Sequence, residues 1–209
     1  MSFTNSFKYR IFVFLFIMGL AYIVGAQSRF TPTEYTVGKI YISGNHSFTT
    51  RWLKKQMNLK DKRFNRSKTF TRRLIELDRI LLQTIYIKNG YLNCTVRDSF
   101  DVNDKGRVDL FYFIDEGRQY FLEEINIEGN SSLSKRNIIN ILNHKLHEPY
   151  NPIRIRKGLK KVKTEYANIG KPLASVTDSL DVNDDIHLFI RIVENSTMSI
   201  DDIRITNNK

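Results

Sequence analysis

The sequence predicts an α+β fold made of tandem β-α-α-β-β modules, each a three-stranded mixed sheet with two helices on one face. The first observation behind this prediction is an internal repeat, in which residues 39–45 recur as residues 124–130. Further along, residues 96–104 match residues 176–184 at seven of nine positions. A period of about 80 residues is too long for a solenoid unit and indicates tandem small domains. The second observation is that the hydrophobic spacing within each copy changes from strand to helix and back to strand.

The first strand of each copy is a β-branched segment that ends in a glycine–asparagine pair. This pair is Gly44-Asn45 in the first copy and Gly129-Asn130 in the second. Glycine readily adopts the positive φ that such a turn can require. A short helix is predicted next, with Ser47 or Thr49 as its N-cap.

The second helix of each copy is predicted from apolar residues that recur at every third or fourth position. The expected buried stripes are Phe70, Leu74, Leu77, Leu81 and Ile85 in the first copy, and Ile155, Leu159, Val162, Tyr166 and Ile169 in the second. Asn89-Gly90 is typical of a helix that ends in a left-handed residue. Both stripes are suited to burial against a sheet.

A β-hairpin is predicted after the second helix, because the apolar spacing becomes alternating. In the first copy the hairpin turns at residues 103–106 and continues from Val108 to Ile114. In the second copy it turns at residues 183–185. The first module ends at Glu116-Gly117, only a few residues before the next module, which favours a semi-rigid join.

Residues 1–26 have the pattern of a secretory signal peptide. Lys8 and Arg10 precede an apolar run at residues 11–24, and small residues then allow cleavage before Gln27. The alternative is an uncleaved inner-membrane anchor, although the run is shorter than the roughly 20 residues that usually span a bilayer. The pattern therefore predicts an exported protein.

The chain is strongly basic, with 33 Lys and Arg against 22 Asp and Glu and a net charge of +11. In an exported protein this excess favours contact with anionic lipid headgroups, lipopolysaccharide or acidic proteins rather than nucleic acid. A solvated helix surface is the simpler interpretation of such clusters. The predicted basic patch comprises Lys54, Lys55, Arg72, Arg73, Lys157, Lys160 and Lys161.

No residue pattern in the sequence indicates an enzyme or a cofactor. Cys94 is the single cysteine and is expected to be a small buried strand residue. His144 and His147 lack the spacing of the known zinc motifs. The sequence contains no nucleophile elbow, P-loop or dinucleotide-binding fingerprint. We therefore expect a binding or scaffolding protein without a metal or cofactor.

Together, these features resemble the POTRA (polypeptide-transport-associated) modules of the surface antigen variable number repeat family. The resemblance divides the chain into a first module at residues 37–117, a second at 118–197 and the first strand of a truncated third at 198–209. The second module departs from the family pattern at Lys171, where the family has tyrosine, and at Asn195, where it has glycine. The matching residues are Gly44, Asn45, Tyr86, Gly90, Tyr91, Glu116, Gly117, Gly129, Asn130, Tyr166 and Gly170.

The resemblance implies the periplasmic part of an outer-membrane assembly factor of the BamA/TamA type in a Gram-negative bacterium. Such modules are thought to bind unfolded outer-membrane protein precursors by adding a strand to a sheet edge. Periplasmic or lipoprotein assembly partners are also implied, on the periplasmic side of the outer membrane. The implied client-binding residues are Cys94, Val96, Asp98, Phe100, Ala174, Val176, Asp178 and Leu180.

Two other functional interpretations of the same modules stay open. One is a membrane-anchored structural protein of the cell-division type, which carries one POTRA module after an uncleaved anchor. The other is the POTRA region of a two-partner secretion transporter, which has two modules. The start of a third copy at Ile203 argues against the latter.

Overall fold

The computed structural model describes residues 36–61, 71–103 and 106–198, which form two modules. The predicted signal peptide, residues 1–26, and residues 199–209 of the predicted third copy lie outside these residues. Among the described residues, no helix has the length and apolar composition of a membrane span. The first module contains β1 (Thr36–Ser43), α1 (Thr50–Gln56), α2 (Arg72–Lys88), β2 (Thr95–Val102) and β3 (Arg107–Asp115). The second contains β4 (Leu122–Glu128), α3 (Lys135–Leu142), α4 (Pro152–Asn168), β5 (Ser175–Val182) and β6 (Ile186–Val193).

Each module has a mixed three-stranded sheet with its last strand in the centre. In the first module the order is β1-β3-β2, with β1 parallel and β2 antiparallel to β3. The second module repeats this arrangement as β4-β6-β5. Because parallel neighbours need a long connection, both helices and the outer strand lie between β1 and β3 in the chain. The predicted fold class is therefore confirmed.

The core of each module lies between the helices and one face of the sheet. Alternate residues of the central strands face the helices and are buried, and each contributes about 1.5–3 kcal/mol when it leaves water. They are Val108, Leu110, Tyr112 and Ile114 in β3, and Ile186, Leu188, Ile190 and Ile192 in β6. The opposite face of each sheet is partly exposed along the central strand, where Phe113 is 45% and Phe189 is 41% exposed.

The buried stripe predicted for α2 is wrong in its phase. The residues that face the core are Ile75, Asp78, Leu82 and Tyr86, whereas Leu77 is 44% exposed. Since α2 has leucine or isoleucine on two adjacent faces, helical spacing alone does not decide which face meets the sheet. Phe70 lies outside the described residues. The other predicted stripe residues, Leu74, Leu81 and Ile85, are partly buried.

The stripe predicted for α4 is correct along the helix. Its solvent side carries only polar and small residues, so the apolar face is unambiguous. Ile169 is exposed, because α4 ends at Asn168 and Ile169 is its C-cap. The buried residues are Ile155, Leu159, Val162 and Tyr166.

A buried carboxylate ties the loop after α1 to α2 in the first module. Asp78 accepts hydrogen bonds from the backbone N–H groups of Asn58 at 2.5 Å and Leu59 at 2.8 Å. Burial raises the pKa of Asp78, and the hydrogen bonds oppose that rise. This buried carboxylate was not predicted, because the expected core face of α2 was defined by apolar residues alone.

A buried histidine has the equivalent role in the second module. Nε2 of His144 accepts the backbone N–H of Asn151, the N-cap of α4, at 2.9 Å. Burial lowers the pKa of His144, which favours the neutral form that can accept this bond. His147 instead lies at the surface, 3.0 Å from Glu123. Within the described residues, no group of His, Cys, Asp and Glu is arranged to hold a metal ion.

Hydrogen bonds hold the short connection between the modules at both ends. The N–H of Tyr120 donates to the carbonyl of Gly90 at the end of α2, at 2.9 Å. The N–H of Phe121 donates to Asp185 in the β5–β6 turn, also at 2.9 Å. Leu92 packs against the second core. The connection is therefore part of both modules rather than a free linker.

The glycine after the first strand is required by a close backbone contact. Gly44 has a φ of +78°, and a Cβ atom at this position would overlap the carbonyl of Ile114 on β3. Gly129 has the same relation to β6, with a φ of +79°. Asn45 stabilises the turn by donating to the carbonyl of Phe48 at 2.8 Å. The glycine–asparagine pair thus lets the turn approach the central strand.

Gly44→Ala is expected to lower the free energy of unfolding by about 3 kcal/mol, because it adds backbone strain and a steric overlap. Gly106→Ala is the matched control. Gly106 also has a positive φ, of +64°, but an added Cβ would meet no atom within 4 Å. The control should therefore lose only about 1 kcal/mol. Urea unfolding followed by circular dichroism measures both values, and equal losses would contradict the role of the contact.

Candidate functional site

The outer strand of the second sheet directs half of its backbone polar groups away from the sheet. The N–H of Ile186 on β6 donates to Phe121, on the side opposite β5, at 2.9 Å. Ile186 and every second residue after it therefore form non-hydrogen-bonded pairs with β5. Their partners include Val176, Asp178 and Leu180, whose N–H and C=O groups face the open edge.

The outer strand of the first sheet, β2, also directs the backbone N–H and C=O groups of alternate residues away from the sheet. The N–H of Asn103 donates to the carbonyl of Arg107 at 2.9 Å, which continues the hydrogen-bonded positions of the hairpin. Val96, Asp98 and Phe100 consequently lie at the non-hydrogen-bonded positions of β2. Among the described residues, no further strand pairs with the outer side of β2 or β5.

Two predicted edge residues are not part of these open backbone rows. Cys94 and Ala174 precede their strands, and their N–H groups donate to Tyr91 and Lys171 in local turns. Both are buried, and burial raises the pKa of the Cys94 thiol to about 11. The open rows therefore begin two residues later than the implied binding segments.

The predicted edge side chains divide between the core and the surface. Val96 is buried, and Val176 packs on the margin of the second core. Phe100, Asp178 and Leu180 are exposed. At Val96 and Val176, an added strand would therefore contact the backbone of β2 or β5 rather than the valine side chain.

Two arginines of α2 form ion pairs with β2, on the side of the strand that faces the helices. Nε of Arg79 lies 3.4 Å from Oδ1 of Asp98, and a nitrogen of Arg72 lies 3.9 Å from the same carboxylate. The Arg72 guanidinium also lies 5.5 Å from the centre of the Phe100 ring. The Asp98 side chain is only 12% exposed. Asp98 and Phe100 are thus already engaged by α2.

The second module lacks these two arginines, although its strand sequence is nearly identical. Arg72 and Arg79 correspond to Pro152 and Leu159 at the repeat offset of 80, so both cations are missing. Asp178 is exposed, and no cation lies within ion-pair distance of it in the described part of the chain. The helix side of β5 is therefore more accessible than that of β2.

An open groove of about 340 Å³ lies on the exposed face of the second sheet and extends from β4 across β6 to β5. Its main apolar surface is the ring of Phe189, which is 41% exposed. These outward positions were not singled out from the sequence, so the groove was not predicted. The polar side chains on this face around it are Asn126, Glu128, Thr177, Ser179 and Arg191.

The predicted basic residues lie on three helices and differ in their partners. Lys54 on α1 pairs with Asp61 at 3.0 Å, and Arg72 on α2 pairs with Asp98 as described above. Within the described residues, the predicted cations that are exposed and have no ion pair are Lys55 on α1, Arg73 on α2, and Lys157, Lys160 and Lys161 on α4.

Glu116 of the glutamate–glycine motif fastens the end of β3 to the turn after β1. Its carboxylate accepts the N–H of Ser47 at 2.9 Å and the Ser47 hydroxyl at 2.7 Å. The Ser47 hydroxyl also lies 2.6 Å from the hydroxyl of Tyr91. Partial burial opposes ionisation, but the bonds from Ser47 hold the pKa of Glu116 below its usual value. Burial and the Glu116 carboxylate raise the pKa of Tyr86.

The second module has the same carboxylate–serine contact, here between Glu194 and Ser132, and we call this contact the clamp. Its third partner differs between the two modules. Glu194 accepts the N–H of Ser132 at 2.7 Å and its hydroxyl at 2.6 Å. Lys171, which stands where the first module has Tyr91, donates to Glu194 at 2.7 Å. Burial opposes ionisation, yet Lys171 and Ser132 lower the pKa of Glu194 to about 2. Burial and the Glu194 charge raise the pKa of Tyr166 to about 12.

The serine of this clamp was missed in the sequence, where Ser47 was considered only as a helix cap. The structure assigns the cap to Thr49, whose hydroxyl accepts the N–H of Trp52 at 3.3 Å. Ser47 and Ser132 are identical at the repeat offset of 85. That identity is the signal that could have identified them.

Comparison with protein-family models matches POTRA, described as surface antigen variable number repeat, at residues 35–117 and 120–195. These two matches cover most of the chain and coincide with the two modules. The chain therefore belongs to the POTRA family, and the resemblance seen in its sequence is confirmed. A comparison with curated proteins found no match.

Solved structures with the same fold include POTRA modules of BamA. The structure of Haemophilus influenzae BamA POTRA3-5 shares 19% identity, with a TM-score of 0.58, over 84% of this chain and 72% of that one. BamA from Haemophilus ducreyi lacking POTRA domains 1-3 shares 16% identity, with a TM-score of 0.56, over 77% of this chain. This chain spans only 30% of the latter protein. At these identities the likeness is one of fold.

Acid is expected to weaken the second module through Glu194. Its folded pKa, about 2, lies below that of an unfolded glutamate, about 4.3. The carboxylate therefore stabilises the fold fully above about pH 5, and this contribution is lost as the pH falls toward 2.

The measurement is the urea midpoint of the wild type and Glu194→Gln between about pH 6 and pH 2. The midpoints should differ most at high pH and converge in acid. Glu165→Gln, at an exposed glutamate of α4, serves as a control for the change in net charge. A gap between wild type and Glu194→Gln that stays constant with pH would contradict the stabilising role of the ionised clamp.

Proposed function

We propose that this chain is the periplasmic POTRA region of an outer-membrane β-barrel assembly or translocation factor. In this role it binds unfolded outer-membrane protein precursors, serves as a scaffold for periplasmic or lipoprotein partners, and catalyses no reaction. Membership of the POTRA family and the fold shared with BamA modules support the proposal. The export signal expected at residues 1–26 is consistent with a periplasmic location.

The observation that carries the proposal is the row of outward backbone groups on β5. An exposed strand edge can pair with any extended chain, because the bonds are made by the main chain. Such pairing tolerates many client sequences, as a receptor for many barrel precursors requires. Val176, Asp178 and Leu180 would provide the donors and acceptors.

The second module is proposed as the principal binding edge. Around β2, Arg72 and Arg79 already engage Asp98, and an incoming chain would have to fit beside these side chains. Around β5, Asp178 is exposed and has no cationic partner among the described residues. Less rearrangement is therefore needed at β5.

The groove beside β5 suggests what kind of client segment fits best. Side chains of an added strand alternate between the two faces of the sheet. Those on the exposed face can reach the groove, where an aromatic side chain near Phe189 gains about 0.5–1.5 kcal/mol beyond its buried area. The proposed client segment is therefore an extended chain with aromatic residues at alternate positions.

Asp178→Pro is expected to weaken client binding about fivefold or more. Proline removes one outward N–H, a net loss of about 1 kcal/mol, and its ring obstructs the edge. The hydrogen bonds between β5 and β6 are retained, because the N–H of residue 178 does not face β6. The measurement is fluorescence anisotropy with a labelled peptide of about ten residues that has aromatic residues at alternate positions.

Asp178→Ala is the matched control, since it removes the same carboxylate and keeps the N–H. It should bind the peptide like the wild type. Thermal unfolding by circular dichroism checks that both variants are folded. Proline and alanine variants with the same affinity would argue against strand addition at β5.

A further inference from the structure

The exposed side of α4 carries an unusual concentration of positive charge. No acidic residue occurs between positions 152 and 164. The helix is well anchored, since Ile155, Leu159 and Val162 on its other side are buried in the second core. The cations, all exposed, are Arg154, Arg156, Lys157, Lys160, Lys161 and Lys163.

These cations form one continuous surface. At 100° per residue, those from Arg156 to Lys163 occupy an arc opposite the buried stripe. Along the helix axis they span about 10 Å, at 1.5 Å per residue. Several positive side chains are therefore presented together to one side of the second module.

Only one of these six cations has an ion-pair partner among the residues that the structure describes. Arg154 pairs with Glu148 at 3.4 Å. The other five cations have no ion-pair partner in the described ranges. By contrast, Lys54, Arg72 and Arg79 in the first module all lie beside carboxylates. The charge on α4 is thus available to an external anion.

Comparison of the two copies shows that the fold does not require this charge. At the repeat offset of 80, Lys157 and Lys160 correspond to Leu77 and Ile80 on α2. Ile80 is 47% exposed, so the same position faces solvent in both modules. The lysines are a property of the second module alone.

We propose that the exposed face of α4, defined by Arg156, Lys157, Lys160, Lys161 and Lys163, binds a membrane surface rich in anionic phospholipid headgroups. Lysine is a compact, strongly hydrated charge on a flexible stem and suits a diffuse layer of phosphates. Protein interfaces are instead enriched in aromatic residues and depleted in lysine. No large apolar residue is exposed on α4 itself. These features favour a lipid surface over an acidic protein.

This binding is separate from strand addition at β5 and adds a second contact to the proposed function. The groove lies on the exposed face of the second sheet, whereas α4 covers the other face. The attraction is electrostatic, so it should fall steeply as salt rises. A cation near an anionic membrane raises the partition coefficient about fivefold, so three together contribute on the order of 100-fold.

The test is vesicle co-flotation of the full chain. One set of vesicles contains equal parts phosphatidylglycerol and phosphatidylcholine, and the other contains phosphatidylcholine alone. The apolar run at residues 11–24 can insert into both, so the neutral vesicles give the baseline and only the increment on anionic vesicles is scored. Binding is measured at about 20 mM and about 200 mM salt.

Two triple variants with the same charge change locate the binding surface. Lys157→Gln, Lys160→Gln and Lys161→Gln together remove the centre of the α4 surface. The matched control combines Lys55→Gln, Arg73→Gln and Lys88→Gln, which are exposed cations of the first module. Glutamine keeps a good helix propensity at each position, and circular dichroism verifies folding.

The proposal expects the α4 variant to lose most of the low-salt increment and the control variant to keep it. Equal losses in the two variants would overturn it, since net charge alone would then explain the binding. Absence of any increment for the wild type at low salt would overturn it as well. So would α4-dependent binding of polyglutamate without binding to anionic vesicles, which would identify an acidic protein as the partner. None of these outcomes depends on peptide binding at β5.

Discussion

The carboxylate that ends the last strand holds each module together, and the other features are arranged around it. β1 and β3 are parallel neighbours, so the turn after β1 lies beside the end of β3. Gly44 lets the backbone approach closely, and Ser47 then donates two hydrogen bonds to Glu116. Hydrogen bonds to a charged group contribute about 1.5–3 kcal/mol each, which is enough to fix this corner of the module. The loop after the long helix is held at the same corner, after α2 through Tyr91 in the first copy and after α4 through Lys171 in the second.

This corner also holds the segment that follows each module, because the loop beside it accepts a hydrogen bond from that segment. The loop that contacts the clamp begins at Gly90, whose carbonyl receives the N–H of Tyr120 at 2.9 Å. In the second copy, Gly170 receives the N–H of Met198 at 2.8 Å. The two bonds are equivalent although Lys171 replaces a tyrosine. The exchange of a hydroxyl contact for an ion pair therefore preserves the geometry of the connection.

Most of the fold could be predicted from the sequence, because the repeat and the change of hydrophobic period are local signals. The core-facing side of α4 could be predicted, since the opposite side of this helix is charged. The core-facing side of α2 could not, because Leu77 and Ile80 are apolar although they are exposed. The difference between the environments of the outer strands β2 and β5 could not be predicted from the sequence either. Asp98 and Asp178 lie in nearly identical strands, and their environments differ through a helix that is distant in the sequence, with Arg72 and Arg79 in one copy and Pro152 and Leu159 in the other.

The two modules therefore share a core and differ at their surfaces. Their buried clusters contain corresponding residues from the same elements. The differences lie where the fold makes few demands, beside the outer strand and on the exposed side of the second helix. In the second module both differences increase access, because in the part of the chain that the structure describes Asp178 has no arginine partner and the exposed lysines of α4 have no ion pair. The groove beside β5 and the charged side of α4 face opposite sides of one sheet, so occupation of one does not obstruct the other. A duplicated scaffold can in this way carry two contacts on one module, while Asp98 on the outer strand of the other module stays paired with the arginines of α2.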